Sequence, residues 1–431
     1  MNALLSLAAR SAWNRRFVLG LVVASIALST FLLLGIERVR QDVRHNFAQA
    51  VSGTDLIVGP RTGSVQLLLY AVFHLGGGTQ NIRWDSVQAL AQQRQVAWVV
   101  PISLGDTHRG FPVVGTTADY FVHFRHGEQQ SLALAQGRAF TDAAVQVHDA
   151  VVGAEVARRL GLTLGQRLVL SHGDGAFADN DHTDDPFTVV GVLQPTGTPV
   201  DRSVHIPLGG VESVHGDWVA GMRMPHAQGA PAQEHDHDHD PHDHDLTPRS
   251  VTAALVGLKN RAAVFSVQRW VAGYGDEALM AVLPGVALDE LWTVVGAGER
   301  ALLAVSVLVS VVSLAGLVAV ILAGLNERRR ELAILRSVGA GPWQMLGLLA
   351  VEGALVTGCG VVLGAVVCYG LIAALGDWAG LHWGVSLRLG WPGPGEWLLL
   401  CGLLMGGWLA SLVPGYRAYR LSLADGLSPR I

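Results

Sequence analysis

Between His226 and Asp245 imidazoles and carboxylates alternate: His235, His237, His239, His242 and His244 are interleaved with Asp236, Asp238, Asp240, Asp243 and Asp245. Neutral imidazole is a ready ligand for Zn2+, Ni2+ and Cu2+, and the carboxylates add oxygen donors. Several sets of three or four ligands can form by rearrangement of the chain, without a preformed site. The same composition cannot bury a core, so a disordered insert is expected at 226–245. Two readings stay open: a tract that gathers metal, and a solvated polar linker whose histidines hold nothing. A second polar stretch contains His172, Asp174, Asp179, Asp181, His182, Asp184 and Asp185. No glycine stands where a calcium loop would turn, so it reads as solvated surface.

A second run with chemical potential is Asn326-Glu327-Arg328-Arg329-Arg330-Glu331-Leu332-Ala333-Ile334-Leu335-Arg336-Ser337-Val338-Gly339-Ala340, followed by Gly341 and Pro342. Charged residues come first. Leu332, Leu335 and Val338 then recur at helical spacing, giving an amphipathic helix that Gly341 and Pro342 end. Such a helix suits a groove on a partner, and it equally suits a basic loop with a surface helix.

Catalytic patterns are missing. A nucleotide hydrolase needs a phosphate-cradling loop with a lysine, and the single lysine, Lys259, is followed by Asn260, so there is no Walker A site. There is no G-x-S-x-G elbow and no H-E-x-x-H helix, and Glu234 beside His235 belongs to the polar insert. The chain itself is expected not to be an enzyme. Its net charge of −5 and lone lysine leave no basic tract to neutralise phosphates, which argues against a nucleic-acid partner. Cys359, Cys368 and Cys401 fall in apolar runs and read as small packing residues, not as a disulfide or metal set.

Half of the residues are hydrophobic and 15% are charged, a balance that points to the bilayer. Four spans are expected, at 17–36, 301–325, 345–375 and 397–414, since about 20 apolar residues cover a hydrocarbon core of ~30 Å. The first follows Arg10, Arg15 and Arg16 but is too long for a signal peptide and lacks a clear cleavage site, so it reads as an uncleaved anchor. Four spans put residues 1–16, 326–344 and 415–431 on one side. Arg10, Arg15, Arg16, Arg328, Arg329, Arg330, Arg336, Arg417, Arg420 and Arg430 share that side, against Arg388 in the 376–396 connection, which makes it cytoplasmic. Residues 37–300 then form a large extracytoplasmic domain, periplasmic in a double-membrane bacterium. Gly360 with Gly364, and Gly402 with Gly406, have the spacing that lets membrane helices approach closely. Glu352 lies inside the third run, either as a functional carboxylate or at the interface beside an arginine of the preceding loop.

The large domain alternates short β-rich runs, Leu56–Val58, Val96–Val100, Phe111–Val114, Leu168–Leu170, Phe187–Leu193 and Val204–Pro207, with helical patterns at Val65–His74, Val87–Gln93 and Glu155–Leu160, where Gly161 is a C-cap signal. The expected fold class is therefore an α-helical membrane protein with four transmembrane helices and a mixed α/β extracytoplasmic domain between the first and second. That domain is expected to divide into two lobes.

The run from Glu327 to Ala340 resembles the E-R-R-R-E-I-A-I-L-R-A-L-G-A segment of MacB/FtsX-type ABC permeases, which include the lipoprotein-releasing permeases. The resemblance extends to the layout of spans and to the tail Pro414-Gly415-Tyr416-Arg417-Ala418-Tyr419-Arg420 with Ala424-Asp425-Gly426-Leu427. Val152-Gly153-Ala154-Glu155, Leu160-Gly161-Leu162 with Gly165, and Val189-Val190-Gly191-Val192-Leu193 look like the family's periplasmic core. Asp55-Leu56-Ile57-Val58-Gly59, Gln66-Leu67-Leu68-Leu69-Tyr70 and Val72-Phe73-His74 resemble a DevC-like branch. This resemblance implies a cytoplasmic ABC ATPase subunit that binds the ATP and docks at Glu327, Arg328, Arg329, Arg330, Glu331, Leu332, Ile334, Leu335, Arg336, Val338 and Gly339. It also implies pairing with a second permease copy or paralogue, and ATP-driven movement of the periplasmic domains, called mechanotransmission. A periplasmic adaptor or substrate-binding protein is a further partner of this arrangement. The His/Asp insert departs from the family pattern and directs attention to transition-metal handling or export. The rival reading is a membrane-anchored metal sensor or scaffold without transport, which needs no ATPase.

Overall fold

The computed structural model describes residues 16–50, 52–76, 80–172, 185–215, 218–219, 222–223, 246–327, 334, 337, 339–383 and 390–420. Among these residues the α-helices are α1 (Arg16–Ala50), α2 (Ser64–Ala71), α3 (Trp84–Ala91), α4 (Asp119–His123), α5 (Ala154–Leu160), α6 (Leu208–His215), α7 (Val264–Ala272), α8 (Pro284–Glu327), α9 (Pro342–Trp383) and α10 (Pro394–Arg420). The chain divides into two compact units, His45–Val294 and the pair of segments Met1–Arg44 and Val295–Ile431.

Four helices, α1, α8, α9 and α10, are long and apolar enough to cross a membrane. Two run well past their apolar stretches. Residues 37–50 contain neither glycine nor proline, so nothing breaks α1 after Ile36, and α8 starts at Pro284, where the missing N–H costs nothing. Side-chain pairs give the helix directions. Ser25 and Ser29 on α1 meet Ser313 and Ser310 on α8, so this pair is antiparallel. Gly360 and Gly364 on α9 face Ile26 and Thr30 on α1, where an added Cβ would lie 2.7 Å from each side chain, so this pair is parallel. Gly353 on α9 abuts Ser411 on α10, and Thr357 abuts Gly407, so the last two helices are antiparallel. Gly402 has nothing within 4 Å, and Gly406 meets only Leu314. The tightest glycine contact on α10 is thus Gly407 against Thr357. Ile26, Leu34, Leu317, Leu349 and Cys368 fill the centre, whereas Cys359 and Cys401 face outward.

Exposed aromatic residues mark both ends of this bundle. Phe17, Trp343 and Tyr416 stand at one end, and Trp391 and Trp397 at the other. The helix rises about 28 Å from Trp397 to Tyr416, close to the thickness of a bilayer core.

The other unit is built on one mixed sheet. Its main strands are β1 (Leu56–Pro60), β2 (Val96–His108), β3 (Phe111–Thr116), β4 (Leu134–Gly137), β5 (Asp149–Val152), β6 (Phe187–Leu193), β7 (Val204–Pro207), β8 (Ala253–Leu258) and β9 (Leu279–Val282). They run in the order β9-β1-β8-β2-β3-β7-β5-β6-β4. The pairs β6–β5 and β7–β3 are parallel, and the other neighbours are antiparallel. In β6 buried and half-buried residues alternate, as on a sheet face against a core, while every residue of β1 is buried. The run Leu168–Leu170 does not form one strand. Leu168 pairs with Phe187 of β6, the chain then changes partner, and His172 pairs with Asp106 of β2. The expected division into two lobes is not marked by any break in the sheet, since three apolar clusters lie along one strand path.

Crowding at Gly360 and space at Gly402 generate a paired prediction. Gly360→Val should destabilise the full chain in detergent by about 1–3 kcal/mol, the usual cost of overpacking, while Gly402→Val should leave the thermal midpoint within error. Equal effects at both sites would contradict this packing.

Candidate functional site

Three sets of polar residues could carry function. The first is the charged run after α8. Glu327 ends that helix, Ile334 and Ser337 are helical, and Ile334 is 52% exposed. Gly339 has φ +102°, a backbone that favours glycine and serves to end a helix. Gly341 then opens α9: its N–H donates to Gln344 Oε1 at 3.0 Å, and Pro342 takes the first helical position. This is the reciprocal half of a capping box. Arg328, Arg329, Arg330, Glu331, Leu332, Leu335, Arg336 and Val338 lie outside the described residues, as do His235, Asp236, His237, Asp238, His239, Asp240, His242 and His244. Among the described residues no three His, Cys, Asp or Glu side chains gather to hold a metal ion. Glu352 is buried within the bundle.

A second set lies where α1 leaves its apolar stretch. Glu37 accepts from Arg40 at 2.7 and 3.0 Å and from Gln41 at 2.6 Å. Arg38, only 8% exposed, reaches Glu396 on α10 at 3.6 Å and Asp42 at 3.4 Å. Glu396 is 0% exposed, and its Oε2 accepts from the Tyr369 hydroxyl of α9 and from the Gly393 N–H, both at 2.9 Å. The charged members are missed by a search for charge-free spans because each sits just outside one, and Tyr369 is missed because, lying inside the third span, it carries no charge. The available signal was Glu396 in the first turn of α10, where an acid both caps the helix and meets its positive end.

The third set is in the sheet unit. His74 follows α2 with φ +53°, and its Nδ1 lies 2.9 Å from Ser203 Oγ. Ser203 spends its one hydroxyl proton on Pro199 O, so His74 Nδ1 must be the donor of the pair. His205, on β7, is fully buried, tilted against Tyr120 with ring centroids 5.1 Å apart, and neither ring nitrogen makes a well-formed hydrogen bond. Burial lowers the His74 imidazole to about 4. His205 falls to about 3, chiefly through burial and secondarily through His74, against a small opposing effect of the Val151 backbone. Both rings are neutral at pH 7. Nearby, Gly153 has no room for a Cβ against the backbone of Val200 and Asp201. Glu155 pairs with Arg159 at 2.8 Å and Arg202 at 3.5 Å, and burial raises its carboxyl against the pull of those arginines.

The two imidazoles set a pH dependence. Below pH 6.5 the unfolded chain takes up protons that the folded unit refuses, so stability falls as pH drops toward the folded values near 4 and 3. Between pH 6.5 and 5 each imidazole should contribute a slope approaching 1.4 kcal/mol per pH unit, roughly. His205→Leu should remove about half of that slope in urea titrations. An unchanged slope would mean that His205 is not held neutral.

Residues 17–236 match the family model of the MacB-like periplasmic core domain, and residues 303–423 match that of the FtsX-like permease C-terminal region. Among solved structures, the periplasmic region of MacB from Actinobacillus actinomycetemcomitans is similar at 13% identity and TM-score 0.34, over 57% of this chain and 97% of that one. The extracellular domain of the noncanonic ABC-type transporter YknZ from Gram-positive bacteria is similar at 13% identity and TM-score 0.31, over 53% and 98%. No curated protein matches the chain.

Proposed function

Since this chain belongs to the MacB/FtsX-type family of ABC transporter permeases, we propose that it transmits ATP-driven movement from a separate cytoplasmic ATPase to its extracytoplasmic unit. The permease role, the multi-pass placement in the inner membrane and an ABC ATPase partner follow from the family, whose members are generally not enzymes themselves. The finer reading assigns hydrolysis to a partner subunit docked on the run from Glu327 to Gly339, places both termini in the cytoplasm, and pairs the chain with a second copy or a paralogue. A periplasmic adaptor or substrate-binding protein would complete the assembly.

One observation carries this reading above the rest: the charged amphipathic run sits between two membrane helices, α8 and α9, on the side where Arg328, Arg329, Arg330 and Arg336 accumulate. The helical and exposed Ile334, the helical Ser337 and the turn from Gly339 to Pro342 support a short docking helix in this connection. A movement imposed there acts directly on both helices that flank it. Binding to a groove through Leu332, Leu335 and Val338 accounts for apolar spacing in a segment otherwise full of charge.

The density of histidine at 235–244 supports an added link to Zn2+, Ni2+ or Cu2+. Such a tract would concentrate metal near the extracytoplasmic unit without a fixed geometry, so it would select for availability more than for one ion.

Leu335→Asp should abolish association with the ATPase in pull-down while membrane insertion persists, because an unpaired carboxylate in an apolar groove costs several kcal/mol, about 2–7. Retained association would remove Leu335 from the interface, and failure of the unaltered pair to associate at all would return the chain to the sensor or scaffold reading. Titration of Zn2+ into the full chain in detergent should show micromolar or tighter binding that disappears on deletion of residues 226–245; binding that survives deletion would relocate the metal elsewhere.

A further inference from the structure

The connection between α9 and α10 lies against α1 in a way that packing alone does not explain. Its end and the first turn of α10 read Gly390-Trp391-Pro392-Gly393-Pro394-Gly395. A Cβ on Gly390 would lie 3.0 Å from Arg38 Nη2, on Gly393 3.0 Å from Gln41 Oε1, and on Gly395 2.7 Å from Glu37 Oε1. Three glycines thus let one stretch of backbone rest on one row of α1, since residues 37, 38 and 41 share a helix face. Directly behind this saddle is Glu396, whose two oxygens are used by three different elements: Arg38 of α1, Tyr369 of α9, and the Gly393 N–H that opens α10. Arg44 at the next turn of α1 adds a bond to Glu299 of α8 at 2.9 Å.

Desolvating such a pair is costly. Replacing a buried ion pair with apolar side chains of the same volume is often neutral or stabilising, so stability is a poor reason for its presence. What a buried ion pair supplies, when its carboxylate also accepts hydrogen bonds from Tyr369 and the Gly393 N–H, is a single allowed register. Apolar helix faces tolerate sliding by a fraction of a turn; a carboxylate held by a guanidinium, a phenol and a backbone N–H does not.

We propose that Arg38, Tyr369 and Glu396 form a node that locks the outer ends of α1, α9 and α10 in one register, with Arg38 and Glu396 as positioning residues for transmission. This rests on the transmission reading above and deepens it. The run from Glu327 to Gly339 leads into α9, and α9 is braced along α10 by the Gly353–Ser411 and Thr357–Gly407 contacts. Displacement of the start of α9 therefore arrives at Tyr369 and Glu396 as a movement of the hairpin. The node passes it to Arg38, and from Arg38 α1 continues without a glycine or proline to Ala50. The first helix is not continuous with the coupling run, so displacement reaches it through contacts between helices: the serine pairs and the Arg44–Glu299 bond from α8, the glycine contacts from α9, and this charged node from the α9–α10 hairpin.

The test uses the full chain in lipid nanodiscs, with Cys359→Ala, Cys368→Ala and Cys401→Ala as background and Gln41→Cys with Gly393→Cys as a reporter pair. A short methanethiosulfonate cross-linker reads the register. The rate of cross-linking should fall at least tenfold on Glu396→Gln or Arg38→Gln, two- to fivefold on Tyr369→Phe, and stay within about twofold on Arg38→Lys, which keeps the cation. Reconstituted with its ATPase, Glu396→Gln should hydrolyse ATP within twofold of the parent yet lose the ATP-dependent change in protease cleavage of residues 45–294. An undiminished cross-linking rate in both Glu396→Gln and Arg38→Gln overturns the node, as does a full ATP response in those variants. Should the parent show no ATP response, the transmission reading fails, while the cross-linking rates still decide whether the register is locked.

Discussion

Hydrocarbon offers a side chain no water, and the membrane unit of this permease is arranged around that constraint. Every backbone polar group must be satisfied within a helix, and every side-chain polar group must find its partner between helices or at an end. Ser25, Ser29, Ser310 and Ser313 do this at the α1–α8 seam, where each hydroxyl also has a helix carbonyl or a second hydroxyl within reach. Small residues do it differently: Gly360, Gly364, Gly353 and Gly407 let helices touch closely enough for dispersion to hold them. Lipid-facing positions need no such device and are occupied by valine and leucine on α8, α9 and α10. Glu396, with no exposure at all, is the most demanding case, because a carboxylate in that position is tolerable only if several donors converge on it.

The extracytoplasmic unit solves an ordinary aqueous problem. Its sheet buries apolar residues on both faces, and helices cover it where the strands are fully apolar. Here too the informative positions are polar ones that are buried. His205 interrupts a strand that otherwise reads as core, and it is kept neutral by the absence of water rather than by a partner. Asp201 is held by the backbone and hydroxyl of Thr196 and by the Gly197 N–H, all at 2.8 Å, which fixes the turn that Gly153 approaches. The Val152-Gly153-Ala154-Glu155 motif therefore has a mechanical sense: a side chain at 153 would push that turn away.

The proposed transmission depends on how the membrane helices are connected. A short charged run joins α8 to α9, α9 and α10 form a tightly braced hairpin, and the far end of that hairpin meets α1 through charge and glycine. Helices are stiff along their axes, so a few well-placed contacts suffice to make one displacement serve several elements.

The four spans, their alternation and the mixed character of the large unit could all be read from the sequence. Each depends on local composition: a stretch near 20 apolar residues, a period of two in Phe187–Leu193, a glycine after Leu160 that adopts φ +65°. The family was legible in the run from Glu327 to Ala340 for the same reason, because a charged face, an apolar spacing and a terminating glycine are all local. Which glycines make contacts was not. Gly402 and Gly406 share the spacing of Gly360 and Gly364, yet among the α10 glycines Gly407 makes the tightest contact and Gly402 none, since spacing gives a face but not its azimuth. Leu168–Leu170 looked like one strand because hydrophobicity does not say where a chain changes partner. Arg38, Tyr369 and Glu396 are separated by hundreds of residues or by a loop, and each looks unremarkable alone, Arg38 and Glu396 at the edge of an apolar run and Tyr369 within one. Their meeting is a property of three helices packed at a common depth, and only the tertiary structure could decide it.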